Sequence, residues 1–240
     1  AYLGRQLSLD TLHKTEFQSR LERAWKKFFV WKGELCNQSY SLQHRLRLFS
    51  AVVTPTVLYA SSTWSRTGQQ EHQLKTVQRR MLRWIVGTNR KFDRKVSDSS
   101  TDSEEDPGEE PAENEDDDFG EKLQTETWVE WIVRATGLAE LHASKAGVTD
   151  WIQAQRSRKW RFAGHVARRT DNRWSTKLLM WIPDAGKRGV GRPKTRWSDC
   201  LQDYVKAAYQ DDDAIWTDIA QDRDTWHYLA EDFTSNSWNY

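Results

Sequence analysis

Residues 156–197 read RSRKWRFAGHVARRTDNRWSTKLLMWIPDAGKRGVGRPKTRW. The stretch holds 13 Lys or Arg against two acids, Asp171 and Asp184. Trp160, Trp174 and Trp197 sit directly beside cations, and Trp181 is close by. Guanidinium groups grip phosphate because their planar fork matches two oxygens at once. Aromatic rings among them can stack on unpaired bases. The first half has a helical period. At about 100° per residue, Arg158, Arg161, His165, Arg168 and Arg169 fall within roughly 100° of arc. Ile152, Trp160, Ala163, Val166 and Ala167 lie opposite, while Arg156 and Lys159 fall on or beside the apolar side. The pattern predicts a helix over residues 148–169, docked by one face and cationic on the other. A solvated helix face would carry the same pattern, but the charge density favours phosphate.

Working downstream, residues 186–194 read GKRGVGRPK. Three Gly and a Pro exclude a helix here. The predicted arm carries Lys187, Arg188, Arg192 and Lys194, with Arg196 just beyond it. Gly-Arg-Pro between basic residues resembles the core of an AT-hook, an arm that lies in the minor groove of A·T-rich duplex, where negative potential attracts Arg. A basic surface loop would look similar.

The whole chain of 240 residues is 37% hydrophobic and 30% charged, with a formal net charge of +1. That balance hides a partition. Residues 1–96 carry 18 bases and 6 acids, residues 97–118 carry 12 acids and no base, and residues 119–240 carry 18 bases and 17 acids. Cys36 and Cys200, the two cysteines, suggest neither a disulfide framework nor a zinc site. The six His show no metal-ligand spacing. The longest apolar run, residues 48–60, is too short to span a bilayer and is broken by Pro55. An intracellular location, nuclear or cytoplasmic, and no membrane partner are expected. The chain opens in mid-pattern without Met, as a piece of something longer would.

Upstream of the basic stretch the apolar period is also helical. Phe17, Leu21, Ala24, Phe28, Trp31 and Leu35 predict a helix over residues 11–35. Leu42, Leu46, Phe49 and Val53 predict a second, starting near Ser41 and ended or kinked by Pro55. Leu74, Val77, Met81 and Ile85 predict a third from about residue 69 to Gly87, with Lys75, Arg79, Arg80 and Arg83 facing out. The acidic run cannot bury enough surface to offset its ordering entropy and predicts a disordered linker over 97–121. After it, Trp128, Trp131, Ile132 and Leu138 mark another helix, and Ser198 is placed as the N-cap of one carrying Leu201, Tyr204 and Val205. A last pair carries Trp216 and Ile219, then Trp226, Leu229 and Phe233. The expected fold is mainly α: a helical region over 1–96, the linker, and a basic helical region over 122–240 with its Gly-rich arm.

Several blocks resemble one family. Tyr2-Leu3-Gly4, residues 46–60 (LRLFSAVVTPTVLYA) leading to Trp64, residues 78–83 (QRRMLR) followed by Ile85-Val86-Gly87, and residues 161–169 (RFAGHVARR) occur in this order. Residues 189–193 (GVGRP) with Arg196-Trp197, then Asp222-Arg223 with Trp226, complete the series. Together they are similar to reverse transcriptases of non-LTR (LINE-type) retrotransposons. The resemblance implies a thumb region followed by the C-terminal segment of a polyprotein whose parent is an RNA-directed DNA polymerase. The family's palm motif, an aromatic residue followed by Ala-Asp-Asp, is absent and would lie upstream of Ala1. The acidic run also departs from the family, as an insertion between blocks.

Polymerase chemistry needs carboxylates converging on two metal ions. The acids here are gathered in the linker or scattered on helix surfaces. Asp199 and Asp203, one turn apart, are expected to be a solvated face. The chain alone is therefore expected to be inactive, with no catalytic residue, no metal ligand and no cofactor of its own, Mg²⁺ being expected in the absent palm. Its expected partners are RNA, DNA or an RNA–DNA hybrid, and the rest of the polyprotein upstream of residue 1. The predicted contacts are Lys75, Arg79, Arg80, Arg83, Arg158, Arg161, His165, Arg168, Arg169, Lys187, Arg188, Arg192, Lys194 and Arg196. Two other readings stay open: an AT-hook-like chromatin module, and a structural or protein-interaction domain.

Overall fold

A computed structural model of the chain describes residues 12–91, 126–171, 173–180 and 196–235. The fold is mainly α. The expected linker and the Gly-rich arm with Lys187, Arg188, Arg192 and Lys194 lie outside the described residues.

The first predicted helix divides at Trp31 into α1 (Leu12–Val30) and α2 (Lys32–Leu35). Ser41 caps α3 (Leu42–Val52), its hydroxyl accepting from the His44 N–H at 3.3 Å. Proline lacks the N–H that would continue α3, so Pro55 falls instead in the first turn of α4 (Thr54–Val57). A 3-10 turn over Ser61–Thr63 leads to α5 (Gly68–Val86). There Thr67 and Gln70 form a reciprocal capping box, and Gly87 ends the helix at φ 72°, a left-handed conformation that glycine adopts without steric cost. Beyond the linker come α6 (Trp128–Lys145) and α7 (Trp151–Ala167). The Asp150 carboxylate caps α7, accepting from the N–H groups of Ile152 and Gln153 at 2.7 and 3.1 Å. Then follow α8 (Trp174–Met180), α9 (Asp199–Tyr209), α10 (Trp216–Ile219) and α11 (Arg223–Ser235). Ser198 does stand at the N-cap of α9, but its hydroxyl caps nothing. The Asp199 carboxylate secures that turn by accepting from the Arg196 N–H at 2.6 Å.

Two hydrophobic cores form, and α7 runs from one into the other. The first gathers Phe17, Leu21, Phe28 and Leu35 with Leu46, Phe49, Leu58, Leu74, Met81 and Ile85, joined by Ala139 and Ala143 of α6 and by Trp151. Trp151 stacks on Phe49 at 5.8 Å and donates its indole N–H to Thr54 Oγ1 at 2.9 Å. Buried Gln78 completes the joint: it accepts from the Trp151 N–H at 2.9 Å and donates to the Thr149 carbonyl at 3.0 Å. That satisfies a helix N–H that has no partner within its own helix. The second core holds Trp160, Ala163, Leu201, Tyr204, Val205, Trp216, Trp226 and Phe233.

Helix α6 turns a face of small residues inward. Its large residues stay at or near the surface, with Trp128 exposed, and Ala135, Ala139 and Ala143 are buried. Small side chains let α6 lie close against α5. The base of the linker is also clasped. Glu126 accepts from both Nε and Nη2 of Arg134, at 2.7 and 2.8 Å, and from the Lys91 N–H at 2.9 Å. Arg90 donates to the Glu126 carbonyl at 2.6 Å, so residues 88–91 and 126–134 are held side by side. These bonds, Arg134 foremost, lower the Glu126 pKa to about 2.

Candidate nucleic-acid interface

The predicted cations separate into those the fold uses and those it leaves on the surface. On α5, Arg79 pairs with Glu140 of α6 at 2.5 Å, and half-buried Arg83 donates to Thr136 Oγ1 at 2.9 Å. Both clamp α6 onto α5. Burial lowers the Arg83 pKa, with the neighbouring charges of Arg80 and Arg79 adding to the effect. Lys75 and Arg80 are exposed. Lys75 stands on the wall of an open groove of about 810 Å³ between α5, the turn before α7, and the end of α11. His72, Arg79, Gln153 and Arg156 share that wall with Glu71, Glu140 and Asp150.

The same division runs along α7. Arg158 reaches the Leu58 carbonyl at 2.6 Å, and half-buried Arg168 reaches the Ala220 carbonyl at 2.6 Å. Each places a cation on the carbonyl that closes a short helix, α4 and α10 respectively, where the helix end favours positive charge. Arg161 is exposed and bonds only weakly to its own helix, at Ser157, over 3.4 Å. His165 is exposed and lies 2.9 Å from Arg169 Nη2, while Arg169 Nη1 donates to Ser175 at 3.2 Å. Exposed Arg161 and His165, with half-buried Arg169 beside them, thus line one strip. Arg196 is exposed beyond the arm.

The residues that broke the helical pattern are those that the fold buries. Arg156 donates to Glu71 at 3.0 Å, and Arg66 pairs with the other oxygen of the same carboxylate at 2.9 Å. One acid thereby serves two buried guanidinium groups and ties α7 to α5. Lys159 is 5% exposed, and its Nζ lies 5.1 Å from the Trp197 ring. Burial pushes its pKa down, and the partial compensation comes from Cys200 and Asp199. Their place on the apolar arc was the signal in the sequence; the acid on α5 that answers Arg156 was not.

Sequence reasoning also missed a surface where α1 meets α5. Trp25 and Phe29 of α1 stack at 5.7 Å, and Trp84 of α5 closes the group at 6.0 and 5.9 Å from them. Arg80 lies over Trp25 and Trp84 at 5.6 and 6.0 Å, and Lys32 over Trp84 at 5.1 Å. The i, i+4 spacing of Trp25 and Phe29 could have marked it.

Among the described residues, no helix is long and apolar enough to cross a membrane. In sequence, the chain is 27% identical over 242 residues to an uncharacterized transposon-derived protein of Caenorhabditis elegans, an alignment covering 98% of this chain and 71% of the relative. The chain is transposon-related in origin. No protein-family model matches it, and no solved structure matches it.

Proposed function

We propose that this chain is a nucleic-acid-binding segment of a non-LTR retrotransposon reverse transcriptase, gripping template–primer or target through backbone phosphates. The observation that carries this reading is the strip of Arg161 and His165 on α7 with Arg169 just past its end. One face of the helix is consumed by core packing, while Arg161 and His165 are exposed one turn apart and half-buried Arg169 adjoins His165. Exposed Lys75 and Arg80 on α5 add a second basic edge. The transposon-derived relative and the ordered sequence blocks support the same source. Polymerisation would reside in the palm that these blocks normally follow, so this chain's part is to hold and orient nucleic acid.

Phosphate binding displaces counterions, so affinity must fall with salt. Replacing Arg161 and Lys75 by Ala should weaken binding to all sequences alike. Removing one cation from a phosphate should lower the slope of log affinity against log salt by roughly 0.7 to 0.9. Arg168→Ala serves as contrast, since its guanidinium is engaged by the Ala220 carbonyl. Unchanged salt slopes in the Arg161 and Lys75 variants would leave the strip a merely solvated face. A strong preference for A·T duplex, abolished by Arg192→Ala, would move the function to the AT-hook-like arm.

A further inference from the structure

We infer that the cluster of Trp25, Phe29 and Trp84 is a stacking platform for unpaired bases, so that the nucleic acid this chain prefers is single-stranded or has an unpaired end. The inference rests on the nucleic-acid reading above and names the class of ligand within it.

Buried Phe28 meets all three rings edge-on at 5.7 to 6.1 Å and sets their positions from below. Two of the three reach solvent: Phe29 is 52% exposed and Trp84 37%, the adjoining Val30 is 74% exposed, and Trp25 is half-buried against the core beneath them. Large aromatics are ordinarily buried, so two of them exposed side by side, backed by a half-buried third, form a patch that calls for a ligand. The rim identifies it. Arg80 and Lys32 lie over the rings, and exposed Lys26 follows Trp25 on α1. Glu22 and Glu34 are the nearest acids along α1 and α2, and among the described residues neither is ion-paired with Arg80 or Lys32.

Flat rings bordered by unneutralised cations match a strand that offers a base face and a phosphate within one nucleotide. A duplex cannot use the platform, because its bases are already stacked on each other. An apolar helix from a protein partner would have to bring these cations out of water without a counter-charge, and that is the less favourable occupant.

The test uses the full chain and three labelled probes: an oligothymidylate, an abasic strand of equal length and charge, and a blunt duplex. The intact protein should bind oligothymidylate about 10-fold or more tighter than the abasic strand. Phe29→Ala and, separately, Trp84→Leu should remove most of that preference while duplex affinity and salt slope stay unchanged. Phe29→Tyr, which keeps a ring, should retain it, and thermal melts would report any variant that fails to fold. Equal binding of the base-bearing and abasic strands by the intact protein would overturn the platform and leave the phosphate reading standing. A preference that survives in both folded variants would overturn it too, placing the stacking elsewhere. Failure to bind any of the three probes would instead remove the nucleic-acid reading itself, and the platform with it.

Discussion

The two ends of α7 are buried by different means. At Trp151 the helix enters a broad core shared with six other helices, in which aliphatic side chains predominate and Gln78 supplies the polar closure. At Trp160 it enters a small core that is mostly ring on ring. Trp160 and Trp226 stack at 3.7 Å with planes 6° apart, and each indole N–H donates to the other residue's carbonyl, at 2.8 and 3.1 Å. Phe233 and Tyr204 pack edge-on or tilted around the pair. A broad core spreads its stabilisation over many interchangeable neighbours. The small one concentrates it in one reciprocal pair, so single substitutions there should cost more.

The largest expected effect follows directly. Trp226→Ala should cost about 3–5 kcal/mol, since it empties a ring-sized site and orphans the Trp160 partner surface. Hydrogen exchange should show the amides of α9 and α11 losing protection while α3 and α5 keep theirs. Equal loss across all four helices would mean that α7 couples the cores into one cooperative unit, and the contrast would be broken.

Next in size is Gly164→Ala. A Cβ added at Gly164 would lie 2.6 Å from Cδ1 of Trp226, and Nε1 is closer still. The indole cannot swing aside without giving up its stack on Trp160 and its hydrogen bond, so strain of roughly 1–3 kcal/mol is expected. Gly137 is the internal control: it is also helical, but a Cβ there meets nothing. Gly137→Ala should be neutral or stabilising by up to about 1 kcal/mol. Comparable melting temperatures for the two variants would show that the close approach at Gly164 is not a constraint.

These contrasts explain what could be read before the fold was known. The elements were legible wherever one side of a helix is apolar: Phe17, Leu21 and Phe28 in α1, or Leu74, Met81 and Ile85 in α5, carry the period directly. The helix start near Ser41 and the terminal glycine Gly87 were legible from their chemistry, whereas Ser198 took the N-cap position without capping. The partners of charges were not, because they come from distant sequence. Nothing in residues 78–83 says that Glu140 and Thr136, on the far side of the acidic run, will engage Arg79 and Arg83. The same distance hid the meeting of Trp25 with Trp84, which joins α1 to α5. For α6, Trp128, Trp131, Ile132 and Leu138 marked the helix, but not that close packing against α5 would bury Ala135, Ala139 and Ala143.

The cores also differ in how they neutralise buried cations, and this gives the smallest predicted effect. In the first, Arg20 has Glu16 at 2.8 Å, and Arg66 and Arg156 share Glu71. At the edge of the second, Lys159 has a thiol and an indole in place of a carboxylate. Arg66 adds unfavourable charge, and Asp199 offsets only part of it. Its folded pKa therefore lies below the unfolded value, so the folded state holds this proton less tightly than the unfolded chain. Between those two values the unfolded state binds more protons, and stability rises with pH. Below the folded value the penalty is present in full. Lys159→Met removes the charge while keeping most of the volume, at the cost of one cation–π interaction. The net at neutral pH should be a gain of about 1 kcal/mol. Because the native protein recovers stability as Lys159 deprotonates, its melting temperature should close on that of the variant as pH rises towards 10. Arg156→Met should behave in the opposite way, destabilising at neutral and alkaline pH by leaving the Glu71 carboxylate with one guanidinium fewer. A Lys159→Met variant that melts below the native protein at neutral pH would show that the thiol and indole compensate the charge as well as Glu71 does, and the two cores would then be alike in this respect.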